Sequence, residues 1–85
     1  MAKIQLEVVT PEKLVVKAEV DEVVAPGLLG EFGVLPGHTT FLAELGTGRL
    51  AYTANGQPKT LEISGGFAEV RENHVTILAD KESGI

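Results

Sequence analysis

From its first residues the chain alternates. Ile4, Leu6 and Val8 are apolar, while Lys3, Gln5 and Glu7 are polar. A β-strand with one wet face has this period of two, because successive side chains leave it on opposite sides. Thr10-Pro11-Glu12 interrupts the pattern, since proline lacks the donor that a ladder needs. Alternation resumes at Leu14, with Val16, Ala18 and Val20 on one parity and Lys17, Glu19 and Asp21 on the other. It predicts one strand, with room for a bulge, running to a stop at Pro26-Gly27. Residues 38–45, HTTFLAEL, fit either a helical turn or a strand, and two threonines beside Phe41 favour the strand.

The second half of the chain carries two hairpin signals. Asn55-Gly56 supplies the two left-handed positions of a tight turn, flanked by Leu50/Tyr52 before it and Leu61/Ile63 after it. Phe67–Val70 and Val75–Leu78 flank a second turn at Glu72-Asn73. Pro58 then belongs at a strand start or on a sheet edge. The pattern predicts an all-β chain, a flattened sandwich or barrel of about eight to ten short strands, forming one domain over residues 1–85.

Composition narrows what such a domain does. With 44% apolar residues but only 5% aromatics and no Trp, the core must be built from aliphatic side chains. A chain of 85 residues buries only ~60–65% of the surface it exposes when unfolded, so a partner adds useful stability. Cysteine is absent, which removes disulfides and thiolate metal sites and fits a reducing compartment. Seven basic against twelve acidic residues give a net charge of −5, which opposes tracking along phosphate backbones, so no nucleic-acid partner is expected. No apolar run approaches the ~20 residues that span a bilayer, and no direct membrane insertion is expected.

Enzymatic constellations fail one after another. Ser64 and Ser83 are the only serines, and EISGGF lacks the spacing of a nucleophile elbow. The glycines at 27, 30 and 33 match neither a phosphate-binding loop nor a dinucleotide fingerprint. His38 and His74 stand far apart in sequence with no carboxylate at metal-ligand spacing. No catalytic residue, metal or cofactor is expected. The segment GEFGVLPGH, residues 30–38, is the exception in density. Glu31 and His38 could form an acid–base pair, although no nucleophile or oxyanion donor accompanies them. The plainer reading, favoured for that reason, makes both solvated residues beside glycines that only form turns. In a third reading they flank Phe32 and Leu35 on a rigid recognition tip. On parity, Ser64 and Thr76 project outward, away from Ile63 and from Val75 and Ile77.

Three blocks, VVTPEK at 8–13, GEFGVLPGH at 30–38 and ISGGFAEVRENHVTILAD at 63–80, together resemble the epsilon subunit of the bacterial rotary ATP synthase, in that family's order and spacing. The resemblance implies a ten-stranded β-sandwich at the foot of the central rotor stalk, a non-catalytic part that binds the gamma subunit on one side and the c-subunit ring at its end. It implies peripheral attachment at the cytoplasmic face of the inner (plasma) membrane. It also implies that the loop matching 30–38 meets the c ring through Glu31, Phe32 and His38, and that Ser64, Glu69 and Thr76, with Leu78 as an apolar neighbour, face gamma. Where some relatives carry a second acidic residue just before the Gly-Glu pair, this chain has Leu29, so the acidic contact that the resemblance implies is expected to be either weaker or more apolar. Family members usually continue into a two-helix hairpin that binds ATP in some bacteria. Here the sequence stops at ADKESGI, so no ATP binding is expected.

A lipoyl or biotinyl carrier domain is the competing reading, being acidic, all-β and of similar length. Its modified lysine occupies the tip of a central hairpin. Here that tip is Asn55-Gly56, and the Asp80-Lys81 pair lies near the C-terminus.

Overall fold

The computed structural model describes residues 3–37 and 40–84. Among these, every regular element is a strand: β1 (Ile4–Val9), β2 (Leu14–Val20), β3 (Glu22–Gly27), β4 (Gly30–Val34), β5 (Phe41–Glu44), β6 (Thr47–Ala54), β7 (Gln57–Arg71) and β8 (His74–Gly84). Their order is β2-β1-β8-β7-β6-β3-β4, with β5 paired to β7 off this path. The β1–β8 pair is parallel and the other ladders are antiparallel. Eight strands among the described residues fall within the eight to ten that the pattern predicts but short of the ten that the resemblance implies, and not all are short: β7 has 15 residues and β8 has 11, each running unbroken where a bend could have divided it.

The length of β7 matters because its inward parity changes midway. Leu61 and Ile63 are buried in its first part, Ala68 and Val70 in its second. Between them Gly65 and Gly66 take φ of 71° and 110°. A Cβ on Gly66 would stand 1.9 Å from the Leu78 carbonyl oxygen, so only glycine allows β8 to follow β7 through this bend. Before the bend β7 pairs with β6; after it, β7 pairs with β5. One strand thereby serves two layers, which close on a single core containing Ile4, Leu6, Val8, Leu50, Ile63, Val70 and Ile77. The alternation read at β1 is realised, with Ile4, Leu6 and Val8 buried.

The single strand expected from Leu14 to Gly27 is instead two strands, divided at Asp21. Val20 is buried at the end of β2, whereas Val23 and Ala25 are buried in β3, so the inward parity changes from even to odd. The division follows from the pairing: β2 lies on β1, while β3 lies on β6 and β4, and the chain must turn a corner between them. Asp21 fixes that corner. Its N–H donates to the Thr53 carbonyl at 2.7 Å, and its carboxylate accepts a hydrogen bond from Lys3 Nζ.

Both predicted turns form. Asn55 and Gly56 have φ of 53° and 78°, as a tight hairpin requires. Pro58 is the second residue of β7, opposite Thr53, where its missing donor is harmless. In the β7–β8 turn Asn73 adopts φ 55° and ties together distant segments. Its side-chain Oδ1 accepts from the Gly37 N–H at 2.7 Å, and its carbonyl accepts from the Gln5 N–H at 2.9 Å.

Asn73→Ala should therefore lose about 1–3 kcal/mol in urea unfolding, combining a left-handed alanine with a lost hydrogen bond. Asn73→Gly should lose less, because it keeps the backbone conformation.

Acid stability tests the Asp21 corner. The hydrogen bond from Lys3, with smaller help from its charge and from the Gly56 and Asn55 N–H groups, outweighs desolvation and holds the Asp21 carboxyl below its ordinary value. Because the folded pKa is the lower one, this contribution is complete above the usual Asp range near pH ~4 and disappears as pH falls through the folded value. The stability gap between the parent and Asp21→Asn should accordingly narrow on acidification from neutral pH, as measured by denaturant melts across pH.

Candidate interaction surfaces

The β3–β4 hairpin is one candidate surface. Pro26 pairs with Glu31 and Gly27 with Gly30, leaving Leu28 and Leu29 as the two-residue tip. The turn is tight: a Cβ on Gly27 would meet the Gly30 carbonyl oxygen at 2.5 Å and the Phe32 ring at 3.0 Å. The tip is also tied to its surroundings. Leu28 N–H donates to the Glu44 carbonyl at 2.9 Å, and Gly46 N–H donates to the Pro26 carbonyl at 2.9 Å. Leu28 is 58% exposed and Leu29 fully so.

The protruding loop expected over residues 30–38 is not what forms. Gly30–Val34 is strand β4, at the edge of the sheet, and the chain leaves regular structure only at Leu35. Glycine density reads as punctuation in a sequence, but β3 offers a free edge, and pairing on it satisfies backbone groups that a loop would leave to water. Alternation along β4 then sends Phe32 and Val34 inward and Glu31 outward. Phe32 is half-buried, edge-on to Phe41 with ring centroids 5.5 Å apart, and packs on the core. It supports the tip from beneath. Glu31 is exposed near the tip, whereas Leu35–Gly37 follows the other end of β4, ~13 Å away at the usual rise of a strand. His38 lies outside the described residues.

A second surface lies on the layer containing β2, β1, β8, the end of β7 and β5. Thr76 pairs with Glu69 and with Glu7, and Glu69 with Leu42. One row over, Leu78 pairs with Phe67 and Val9, and Val9 with Leu14. Phe67 and Leu78 are each 48% exposed, with Leu42 and Leu14 exposed beside them. The flank is therefore an apolar row next to a polar one. Arg71 lies 3.5 Å from Glu69 and His74 Nε2 lies 3.8 Å from Glu7, so its charges are mutually arranged at the margin.

Of the four residues expected on this side, Glu69, Thr76 and Leu78 are brought together. Ser64 is not. It lies beyond the Gly65–Gly66 bend, opposite Thr47 and Lys81, with its Oγ 3.1 Å from Thr47 Oγ1. The parity argument for an outward Ser64 holds, but the bend assigns it to the other layer. Phe67, Leu14 and Leu42 were missed, although Phe67 shares the parity of Glu69 and could have been found from it.

Electrostatically the two surfaces differ. Glu31 and Glu44 make no ion pair among the described residues, while Lys3, Arg49 and Arg71 each have a carboxylate partner. No polar or charged residue among those described is buried, and no described group of three or more His, Asp or Glu could hold a metal ion. Lys81 lies within β8 opposite Ser64, not at a hairpin tip where a carrier would display it.

Comparison with known proteins agrees with this geometry. Residues 3–82 match the family model described as ATP synthase, Delta/Epsilon chain, beta-sandwich domain. The chain is 56% identical over 77 residues to an ATP synthase epsilon chain of Nitratidesulfovibrio vulgaris, covering 91% of this chain and 58% of that one. It is 50% identical over 78 residues to the ATP synthase epsilon chain of Carboxydothermus hydrogenoformans, covering 92% and 58%. This chain thus spans less than two thirds of the length of these relatives. Among solved structures, a chain of the Euglena gracilis mitochondrial ATP synthase OSCP/F1/c-ring assembly superposes with a TM-score of 0.91 at 28% identity, over 99% of this chain and 54% of that one. A chain of the Tetrahymena thermophila central stalk/c-ring assembly shares the fold, with a TM-score of 0.77 at 18% identity, over 99% and 69%.

Proposed function

The chain belongs to the ATP synthase delta/epsilon-chain beta-sandwich family, and on that premise we propose that it is a central-stalk component of the rotary ATP synthase, coupling rotation of the c ring to the gamma subunit. It catalyses nothing itself. The flank of Phe67, Glu69, Thr76 and Leu78 receives gamma, and the end carrying the β3–β4 hairpin faces the c ring, with Glu31 at that contact and His38 joined to it on the family resemblance alone. Phe32 acts there by bracing the hairpin from within. Attachment is peripheral, on the cytoplasmic face of the membrane, through these protein contacts alone.

The observation that carries this reading is the flank. A preformed sheet face with an exposed apolar row beside a polar row has the composition of a protein–protein interface, an apolar centre with a polar margin. Ion-driven torque passes best through surfaces that need no rearrangement on binding. Both surfaces here rest on hydrogen-bonded strands.

The purified chain should form a stoichiometric complex with the matching gamma subunit in a pulldown, and absence of that complex removes the proposal. Phe67→Asp combined with Leu78→Asp should weaken gamma binding at least about tenfold, because a desolvated apolar anchor contributes about 1–3 kcal/mol. Both side chains are half-exposed, so an unchanged melting profile of the double variant checks that its fold is intact.

Replacing Glu31 by Gln together with His38 by Ala should lower c-ring association and the coupling of ion flow to ATP synthesis, while the isolated domain still folds. Normal coupling in that variant would show that the hairpin end does not make the ring contact.

A further inference from the structure

We propose that His74 makes the gamma-facing flank proton-sensitive: the domain takes up a proton on His74 when gamma covers the flank, and the joint tightens as pH falls through the histidine range. This rests on the stalk reading above and adds a regulation to its flank contact.

The flank is built in successive rows across β1, β8 and β7. Val9, Leu78 and Phe67 form the apolar row, and Glu7, Thr76 and Glu69 form the polar row beside it. The row after that is Gln5, His74 and Arg71. These last two rows border a depression of about 260 Å³ lined by Glu7, Glu69, Arg71, His74 and Thr76. Glu7 is the most buried of its four ionisable side chains, at 33% exposure.

The charges of this depression do not balance while His74 is neutral. Arg71 lies 3.5 Å from Glu69, and Glu7 has His74 as its ion-pair partner, Nε2 to Oε1 at 3.8 Å. Further out, Lys17 stands opposite Glu7 on β2 and Glu19 stands opposite Gln5, while Glu72 lies in the turn just before His74. Gln5 Nε2 donates to Glu19 at 2.9 Å, and Lys3 is held by Asp21. Across this wider set the carboxylates outnumber the cations.

Covering the flank takes these groups out of water, and an unneutralised carboxylate is costly to bury. A proton on His74 turns its contact with Glu7 into an ion pair and lowers that cost. Histidine is the side chain that ordinarily titrates between about pH 5 and 8, whereas the guanidinium of Arg71 keeps its charge throughout. The sign follows from linkage. A proton that favours the complex makes affinity rise on acidification, and the rise levels off once His74 is charged in both the free and the bound chain. Because the titrating row lies one row beyond the polar one, the apolar row holds the complex together while protonation adjusts its strength.

The test is calorimetric titration of the chain with the matching gamma subunit at about pH 6, 7 and 8. The parent should bind at least about fivefold more tightly at the lowest pH than at the highest. At about pH 7 its apparent binding enthalpy should also vary with the ionisation enthalpy of the buffer, in the direction of proton uptake. His74→Gln and Glu7→Gln should each bind with an affinity nearly independent of pH, with thermal melts checking that both variants stay folded. Parent affinity that is flat in pH or falls on acidification, or binding without proton uptake, would overturn the proposal and leave the stalk reading standing. The parent's pH dependence persisting in His74→Gln would overturn it too, since the proton would then bind elsewhere. The buffer comparison needs no variant, so a substitution that fails to fold leaves the proposal open to refutation. Failure of the parent to bind gamma at every pH would overturn this proposal and the stalk reading together.

Discussion

The fold depends on one close approach, the backbone of Gly66 against the carbonyl of Leu78. No side chain fits between them, and this lets a continuous two-strand ladder bend from one layer of the molecule into the other. Without the bend, β7 and β8 would form a long flat ribbon, with Leu61 and Ile63 on one face and Ala68 and Val70 on the other. With it, all four enter the same core. A small domain poor in aromatic residues cannot leave half of its aliphatic side chains outside and remain folded.

The same bend separates the domain's working surfaces. The part of β7 after Gly66 joins β5, β8, β1 and β2 to present the Phe67–Leu78 row. The part before it carries β6, on which β3 and the β3–β4 hairpin are built. Flank and tip are thus set at a fixed relation by hydrogen-bonded strands, and Glu44 stands where they adjoin. No polar or charged residue among those described is buried, so the core between flank and tip is held by aliphatic packing and backbone ladders alone.

Lys3, Arg49 and Arg71 are paired with nearby carboxylates, whereas Glu31 and Glu44 have no ion-pair partner among the described residues. Such pairs on an exposed surface add little stability.

The sequence alone determined the strand character of the chain, the two hairpin turns and the inward face of β1, because these depend on contacts between near neighbours: alternation, the left-handed tolerance of Asn and Gly, and the missing donor of proline. Parity from buried neighbours also located the outward Thr76, whereas Glu69 entered through the family resemblance and Leu78 as the apolar neighbour added to it. Tertiary structure alone decided where parity resets. Asp21 divides an apparently continuous strand because β2 and β3 pair with different partners, and Gly65–Gly66 moves Ser64 away from Glu69 although only five positions separate them. The glycine-rich segment after residue 30 became an edge strand because β3 was available to pair with it, turning Phe32 inward and leaving Leu28 and Leu29 at the tip. Such outcomes depend on which distant backbone offers its hydrogen bonds, and no local pattern of residues encodes that choice.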